Sequence, residues 1–192
     1  GCDIHFTYRS SNDEANTLCT ELESLRVKSM ASRLDLQDLD AVERFAADFA
    51  QRGRLDVLIH NASFYSRGPL NEITQQDALG DYRVNALAPL LLTRHLAPRL
   101  AESPRAGGGS IVAMTDIHAS DRPRRGFTSY AMSKAALEQM VRSLAVELAP
   151  NIRLNAVAPG VVAFAEEGPD SDPVMQERYL KRVPMGRSGT IE

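Results

Sequence analysis

Short apolar runs alternate with amphipathic helical stretches along this chain, and that alternation admits few folds. CDIHFTYR, RVKSMASRLDL, LDVLIHNA, SIVAMTD and IRLNAVAP read as strands. Between them, Ser11 or Asn12 caps a helical stretch through Leu25, and DAVERFAADFAQRG is an amphipathic helix closed by Gly53. Thr74 to Leu100 is a long helical region with a break expected near Gly80, and a last helix runs from Tyr130 to Leu148. LDVLIHNA is apolar enough to fit a buried parallel strand. Repeated strand–helix–strand units imply a parallel sheet with helices on both faces. The glycines Gly107 to Gly109 read as a turn before a strand, not as a phosphate loop.

Composition excludes several classes of function. With 192 residues, 43% of them hydrophobic and 24% charged, the chain has enough apolar material for one ordinary domain core. A net charge of −3 argues against nucleic-acid or membrane-surface binding driven by bulk electrostatics. No apolar run approaches the length of a membrane span, and Asp3 and Arg9 interrupt the early apolar run. Cys2 and Cys19 lack metal-ligand spacing, so reduced thiols in a cytoplasmic protein without a metal are expected.

Chemistry enters with SYAMSKAAL. Tyr130 and Lys134 stand four residues apart on a helix, so both side chains project from one face. A phenol beside an ammonium group is an acid–base device, and the cation is expected to lower the phenol's pKa. Three further signals accompany it: Asn61-Ala62-Ser63 after an apolar run, an isolated Asn85 in VNALAP, and NAVAPG ending at Gly160. Together these residues resemble the short-chain dehydrogenase/reductase family.

The resemblance implies an α/β, Rossmann-like doubly wound parallel sheet with helices on both faces. It covers nearly the whole chain, residues 1–192 reading as a single dinucleotide-binding reductase domain. The family's first strand and its glycine-rich turn have no counterpart, and neither has its C-terminal strand. The expectation is therefore a fragment of a longer protein, with a gap in mid-sheet where that first strand would lie.

Cofactor choice is read at the end of the first strand, where an acid would meet the ribose of NAD and an arginine the 2′-phosphate of NADP. Tyr8-Arg9-Ser10-Ser11 occupies that place, with no acid before Asp13. Arg9 can pair with phosphate and Ser10 can add a hydroxyl, which favours NADPH; a solvated arginine is the plain alternative. By resemblance, Asp35 contacts adenine, and Asn61, Ala62 and Ser63 lie along the cofactor. Pro159 and Gly160 turn the chain so that backbone near Val161 and Val162 reaches the nicotinamide, while Tyr130 and Lys134 meet its ribose.

Most family members carry a serine where this chain has Asp116. A carboxylate only accepts hydrogen bonds and would repel a developing alkoxide, so it suits a substrate rich in N–H donors. Alternatively, Asp116 caps the following loop and Thr115 takes the serine's place. Asp116 with Tyr130, Lys134 and the NASFY segment resembles the pteridine reductase branch, including dihydromonapterin reductases. That implies hydride transfer from NADPH to a pterin ring, with Asp116, Tyr130 and Lys134 as a proton relay and Asn85 holding a water or backbone group behind the lysine. Ser63 would contact cofactor or substrate. Either Phe64 or Tyr65 would stack on the pterin, because the branch pattern Asn-Ala-Ser-Ser-Phe-Tyr is shifted here. The Asp116–Tyr130 spacing is one residue longer than usual, with Ser120 the insertion.

Other residues have plainer readings. His60 reads as a packed strand residue, His118 as a loop histidine, and the DRPRRG charges as a solvated loop from which one arginine could meet an anionic substrate tail. Ala163 to Pro173 reads as a substrate lid whose acids (Glu166, Glu167, Asp170 and Asp172) serve solubility or a donor-rich ligand. A pterin reductase is the leading expectation, assembled as a homotetramer with a small-molecule substrate. A general carbonyl reductase is the alternative within enzymes. A non-catalytic NADP-binding protein or inactive fragment is the alternative outside them.

Overall fold

The computed structural model describes residues 2–119, 122–162, 164 and 171–190. Ser120 and the lid acids Glu166, Glu167 and Asp170 lie outside them, as does Ala163. Five strands form: β1 (Ile4–Tyr8), β2 (Ser29–Arg33), β3 (Val57–His60), β4 (Gly109–Met114) and β5 (Ile152–Val157). Helices α1 (Asn12–Ser24), α2 (Leu39–Ala50), α3 (Gln75–Tyr82), α4 (Ala88–Ala101), α5 (Thr128–Glu147) and α6 (Pro173–Leu180) connect or follow them.

All strand pairs are parallel, but they form two sheets, β1–β2 and β3–β4–β5. The split agrees with the expected mid-sheet gap, and it leaves β3 less buried than its sequence reads. That strand hydrogen-bonds only to β4 among the described residues, so its other edge is open. Val57 stays 43% exposed and Ile59 59% exposed, although their sequence reads as fully buried. Apolar composition is satisfied only when a neighbour covers the strand.

The main core lies between β4, β5, α4 and α5, where Leu100, Ile111, Ala113, Leu137, Val141, Ile152 and Leu154 pack together. A smaller cluster joins Leu34, Val42 and Ala88, where α2 crosses α4. The glycine run before β4 is a turn, as its composition indicates. Gly107 and Gly108 have φ of +87° and +72°, and a Cβ at Gly108 would strike the Asn151 carbonyl. One at Gly109 would strike the Leu100 carbonyl, so the turn lets α4, β4 and the start of β5 pass backbone against backbone.

The long helical region is not broken at Gly80. Thr74 caps α3 with a reciprocal bond pair to Asp77, and α3 then runs into α4 through a π-turn at Arg83–Leu87. Pro89 directly follows the π-turn as the second residue of α4. Helix α6 was not read from the sequence, whose expected lid ended at Pro173 where the helix begins. Asp172, counted among the lid acids, accepts from the Val174 N–H at 2.9 Å and caps that helix, with Pro173 at its first position.

Candidate active site

The loops that leave the carboxyl ends of β3, β4 and β5 meet the first two turns of α5. Tyr130 and Lys134 project from α5 and are buried, at 6% and 3% exposure. Tyr130 Oη donates to Asp116 Oδ2 at 2.7 Å, so the long spacing between them still closes. The other carboxylate oxygen, Oδ1, accepts the His118 backbone N–H at 2.7 Å. Asp116 therefore shapes its loop, one of the readings left open by sequence, and also accepts from the tyrosine. Thr115 is buried and its hydroxyl donates to the Val157 carbonyl at 3.2 Å.

The expected electrostatics of the pair are reversed. Burial, then the hydrogen bond and charge of Asp116, push the Tyr130 phenol well above its ordinary range, with Ser63 opposing weakly. Lys134 does not offset this. Its Nζ donates to the Met114 carbonyl at 2.8 Å and stands 5.9 Å from the Tyr130 ring centroid. Burial lowers its own pKa, against the pull of Asp116. The site thus holds a neutral phenol against a carboxylate, where sequence suggested a phenolate beside a cation.

Asn85 stands on the π-turn and is fully buried. Its Oδ1 accepts from the Phe64 N–H at 2.8 Å and from Ser63 Oγ at 3.2 Å. Its Nδ2 donates to the Phe64 carbonyl at 2.9 Å and to Ser133 Oγ at 2.8 Å. Ser133 in turn donates to the Tyr130 carbonyl at 2.7 Å. One amide therefore ties the loop after β3 to the helix that carries the reacting tyrosine. The backbone group expected at Asn85 is that of Phe64, and Ser133, which spacing alone did not reveal, completes the link. A second tie, Ser66 Oγ to Asp81 Oδ2 at 2.6 Å, anchors the same loop to α3.

Phe64 is held through its backbone, and the Tyr65 ring stands beside Tyr130. It lies 4.9 Å edge-on from Tyr130 and 5.0 Å from Phe127 and is 52% exposed. His118 bridges outward, with Nδ1 2.6 Å from the Arg122 carbonyl and Nε2 3.3 Å from Tyr179 Oη on α6. No pattern in the sequence pointed to Tyr179, because its partner lies 61 residues away. His60 is a core residue as expected. It is buried against Thr93 at 2.9 Å, and burial lowers its pKa to about 4.

The residues expected at a dinucleotide stand just past the strand ends. Arg9 and Ser10 are exposed after β1, and the Arg9 carbonyl accepts from Arg33 Nε at 3.1 Å, which brings two guanidinium-bearing residues to one corner. Asp35 is exposed and its Oδ1 accepts the Gln37 N–H at 2.9 Å. Asn61, Ala62 and Ser63 are exposed after β3. Pro159 and Gly160 follow β5, a Cβ at Gly160 meeting only Ile117 at 4.0 Å, and the next carbonyl, of Val161, accepts the Gly189 N–H at 2.9 Å. Val162 is 39% exposed. These groups fit the two ends of a dinucleotide, whereas the glycine-rich turn that would hold its pyrophosphate has no counterpart in the sequence. A hollow of about 650 Å³ lies elsewhere, between α5 and β5; it reaches Asp116 but is not lined by Tyr130.

A family model described as enoyl-(acyl carrier protein) reductase, of the short-chain type, matches residues 1–192. The chain belongs to the short-chain dehydrogenase/reductase family. It is 30% identical over 181 residues to 7alpha-hydroxysteroid dehydrogenase of Escherichia coli K12, covering 92% of this chain and 68% of that protein. It is 36% identical over 154 residues to pteridine reductase 1 of Leishmania tarentolae, covering 69% of this chain and 51% of that protein. The solved structure of a short-chain dehydrogenase from Burkholderia cenocepacia in complex with NADP superposes with a TM-score of 0.86 at 28% identity. That match covers 99% of this chain and 76% of the other. As a member of this family the chain is an oxidoreductase domain.

Proposed function

We propose that this chain reduces a pterin with NADPH, taking a dihydropterin such as dihydromonapterin to its tetrahydro form. The observation that carries the reading is the 2.7 Å bond between Tyr130 Oη and Asp116 Oδ2, with Thr115 committed to the Val157 carbonyl. A ketone needs donors converging on an oxygen that becomes negative, and a carboxylate in that shell opposes it. A heterocycle that presents N–H groups beside a ring nitrogen meets both partners correctly. Asp116 accepts from the substrate's N–H, and Tyr130, held neutral, supplies the proton to the ring nitrogen.

The cofactor, when bound, supplies the hydride. Arg9 and Ser10, supported by Arg33, would take its 2′-phosphate. Asp35 would meet the adenine, and Asn61 to Ser63, Lys134 and Pro159 to Val162 the nicotinamide end. The NADP in the Burkholderia structure supports this choice. Tyr65 would stack on the pterin, and Asn85 would keep its loop in place.

NADPH oxidation is followed with 7,8-dihydrobiopterin and 7,8-dihydromonapterin, with small ketones in parallel and NADH as control. Pterin-dependent oxidation that Asp116→Ala abolishes is the expected result. Turnover of ketones alone would reject the pterin reading and favour a carbonyl reductase, the chemistry suggested by the broader match to the hydroxysteroid dehydrogenase. NADPH binding without turnover of either class would leave a binding role.

A further inference from the structure

The carboxylate of Asp116 is held from two directions. Tyr130 reaches its Oδ2 from α5, and the His118 backbone N–H reaches its Oδ1 from within the loop that follows β4. The same loop folds back on itself, the Asp116 carbonyl accepting the Ala119 N–H at 3.0 Å. The carboxylate therefore points at Tyr130 only while His118 keeps its place in that turn. The imidazole of His118 is fixed in turn from outside. A carbonyl only accepts, so the 2.6 Å contact with the Arg122 carbonyl puts a proton on Nδ1. In the neutral ring Nε2 is then an acceptor, and it faces Tyr179 Oη at 3.3 Å. That link is longer than the others, and ring packing backs it. The His118 and Tyr179 rings meet edge-on with centroids 6.3 Å apart, and Phe164 packs edge-on against Tyr179 at 6.1 Å.

Tyr179 stands on a lightly packed helix. No residue of α6 is fully buried, and neither core cluster of the described residues includes one. An element packed in this way is seated by a few side-chain contacts, and Tyr179 is half-buried where α6 meets the Asp116 loop. Resting on Asp116 and Tyr130 as the reacting pair proposed above, we infer that Tyr179 is a positioning residue: seating α6 through His118 sets the Asp116 carboxylate against the Tyr130 hydroxyl. The imidazole and Tyr179 act without touching the substrate. They hold one member of the acid–base pair, so the seating of α6 and the readiness of the pair are one event.

One measurement needs no substrate. The chain has five tyrosines, so carbon-13 at tyrosine Cζ gives five NMR signals that single phenylalanine variants assign. Asp116→Ala marks where the Tyr130 signal falls once its acceptor is gone. In Tyr179→Phe, which keeps the ring and removes the hydroxyl, and in His118→Ala, the Tyr130 signal should move toward that mark while those of Tyr8 and Tyr82 stay in place. Turnover gives a second readout with whichever substrate class the protein reduces. There kcat should fall about tenfold in either variant, the scale of one lost hydrogen bond, with KM for NADPH unchanged. The double variant should be no slower than the slower single one, because both changes break the same link. An unmoved Tyr130 signal in Tyr179→Phe, or losses in kcat that multiply in the double variant, overturns the inference and leaves the pterin reading standing. Turnover of ketones alone would reject the pterin reading while a moved signal retains Tyr179. If neither class turns over, or if His118→Ala does not fold, the signal in Tyr179→Phe decides by itself.

Discussion

The β3–β4–β5 sheet and the β1–β2 pair are built from the same strand–helix–strand unit, yet they are buried to different depths. In β4 every second residue is buried, and Ile152 and Leu154 of β5 join the same core. Neither β1 nor β2 contains a fully buried residue, and their nearest cluster is the small one at Leu34, Val42 and Ala88. Asp116, Tyr130 and Lys134 belong to the first region, Arg9 and Ser10 to the second. The proposed proton chemistry therefore sits on the densely packed part of the molecule, and the corner proposed to discriminate between cofactors sits on the lightly packed part. Positioning errors of about 1 Å cost roughly a hundredfold in a reaction but much less in a solvent-exposed charge contact.

The largest effect should come from the densely packed side. Tyr130→Phe removes only the hydroxyl that meets Asp116, and turnover should fall about a thousandfold with the circular dichroism spectrum unchanged. A residual rate above about a tenth of wild type would mean that another group delivers the proton. Truncations sharpen the comparison directly: Leu100→Ala in the main core should cost about 4 kcal/mol in urea unfolding, against about 2 kcal/mol for Leu34→Ala. Equal losses would mean that the two regions unfold as one equally packed unit.

His60 supplies a pH signature of the packed region. Its folded pKa of about 4 lies below the ordinary histidine value of 6.5, so the unfolded chain takes up a proton that the folded chain refuses. Stability from this residue is complete above pH 6.5 and is lost as pH falls toward 4, by on the order of 3 kcal/mol. Unfolding curves at about pH 7, 5 and 4 should show a slope that His60→Gln flattens. The smallest effect belongs to the exposed corner. Arg9→Ala should reduce the preference for NADPH over NADH about tenfold, read from the two kcat/KM values. No change would move phosphate recognition to Arg33 or elsewhere.

Much of this arrangement was legible because it is local. The four-residue spacing of Tyr130 and Lys134 puts both on one helical face whatever surrounds them, and strand periodicity at SIVAMTD survives in any neighbourhood. Asp116 stood out through the family resemblance, because it falls where most members carry a serine. What sequence missed depends on partners distant along the chain. Ile59 looks buried until its neighbour on the open edge is considered. Lys134 looks like a partner of Tyr130 until the Met114 carbonyl takes its proton donor. Asn85 and Phe64, or Arg124 and Tyr65, meet only because loops converge, and no periodicity records that. Helix α6 went unread because the acidic stretch before it reads as a lid until Asp172 is seen as a cap.

The π-turn at Arg83–Leu87 has a bearing on how this site can change. A regular helix advances about 100° per residue, so one surplus residue resets the phase between the helix before it and the helix after it. Asp81 and the Thr74 cap lie on one side of that offset, the apolar stripe of α4 on the other, and Asn85 within it. No gradual series of substitutions can undo such an offset. Deleting one residue there would turn α3 by more than a quarter revolution against α4 and swing both loop anchors, Asp81 and Asn85, off their partners at once. The loop that carries Tyr65 is thus kept or lost in a single whole-residue step.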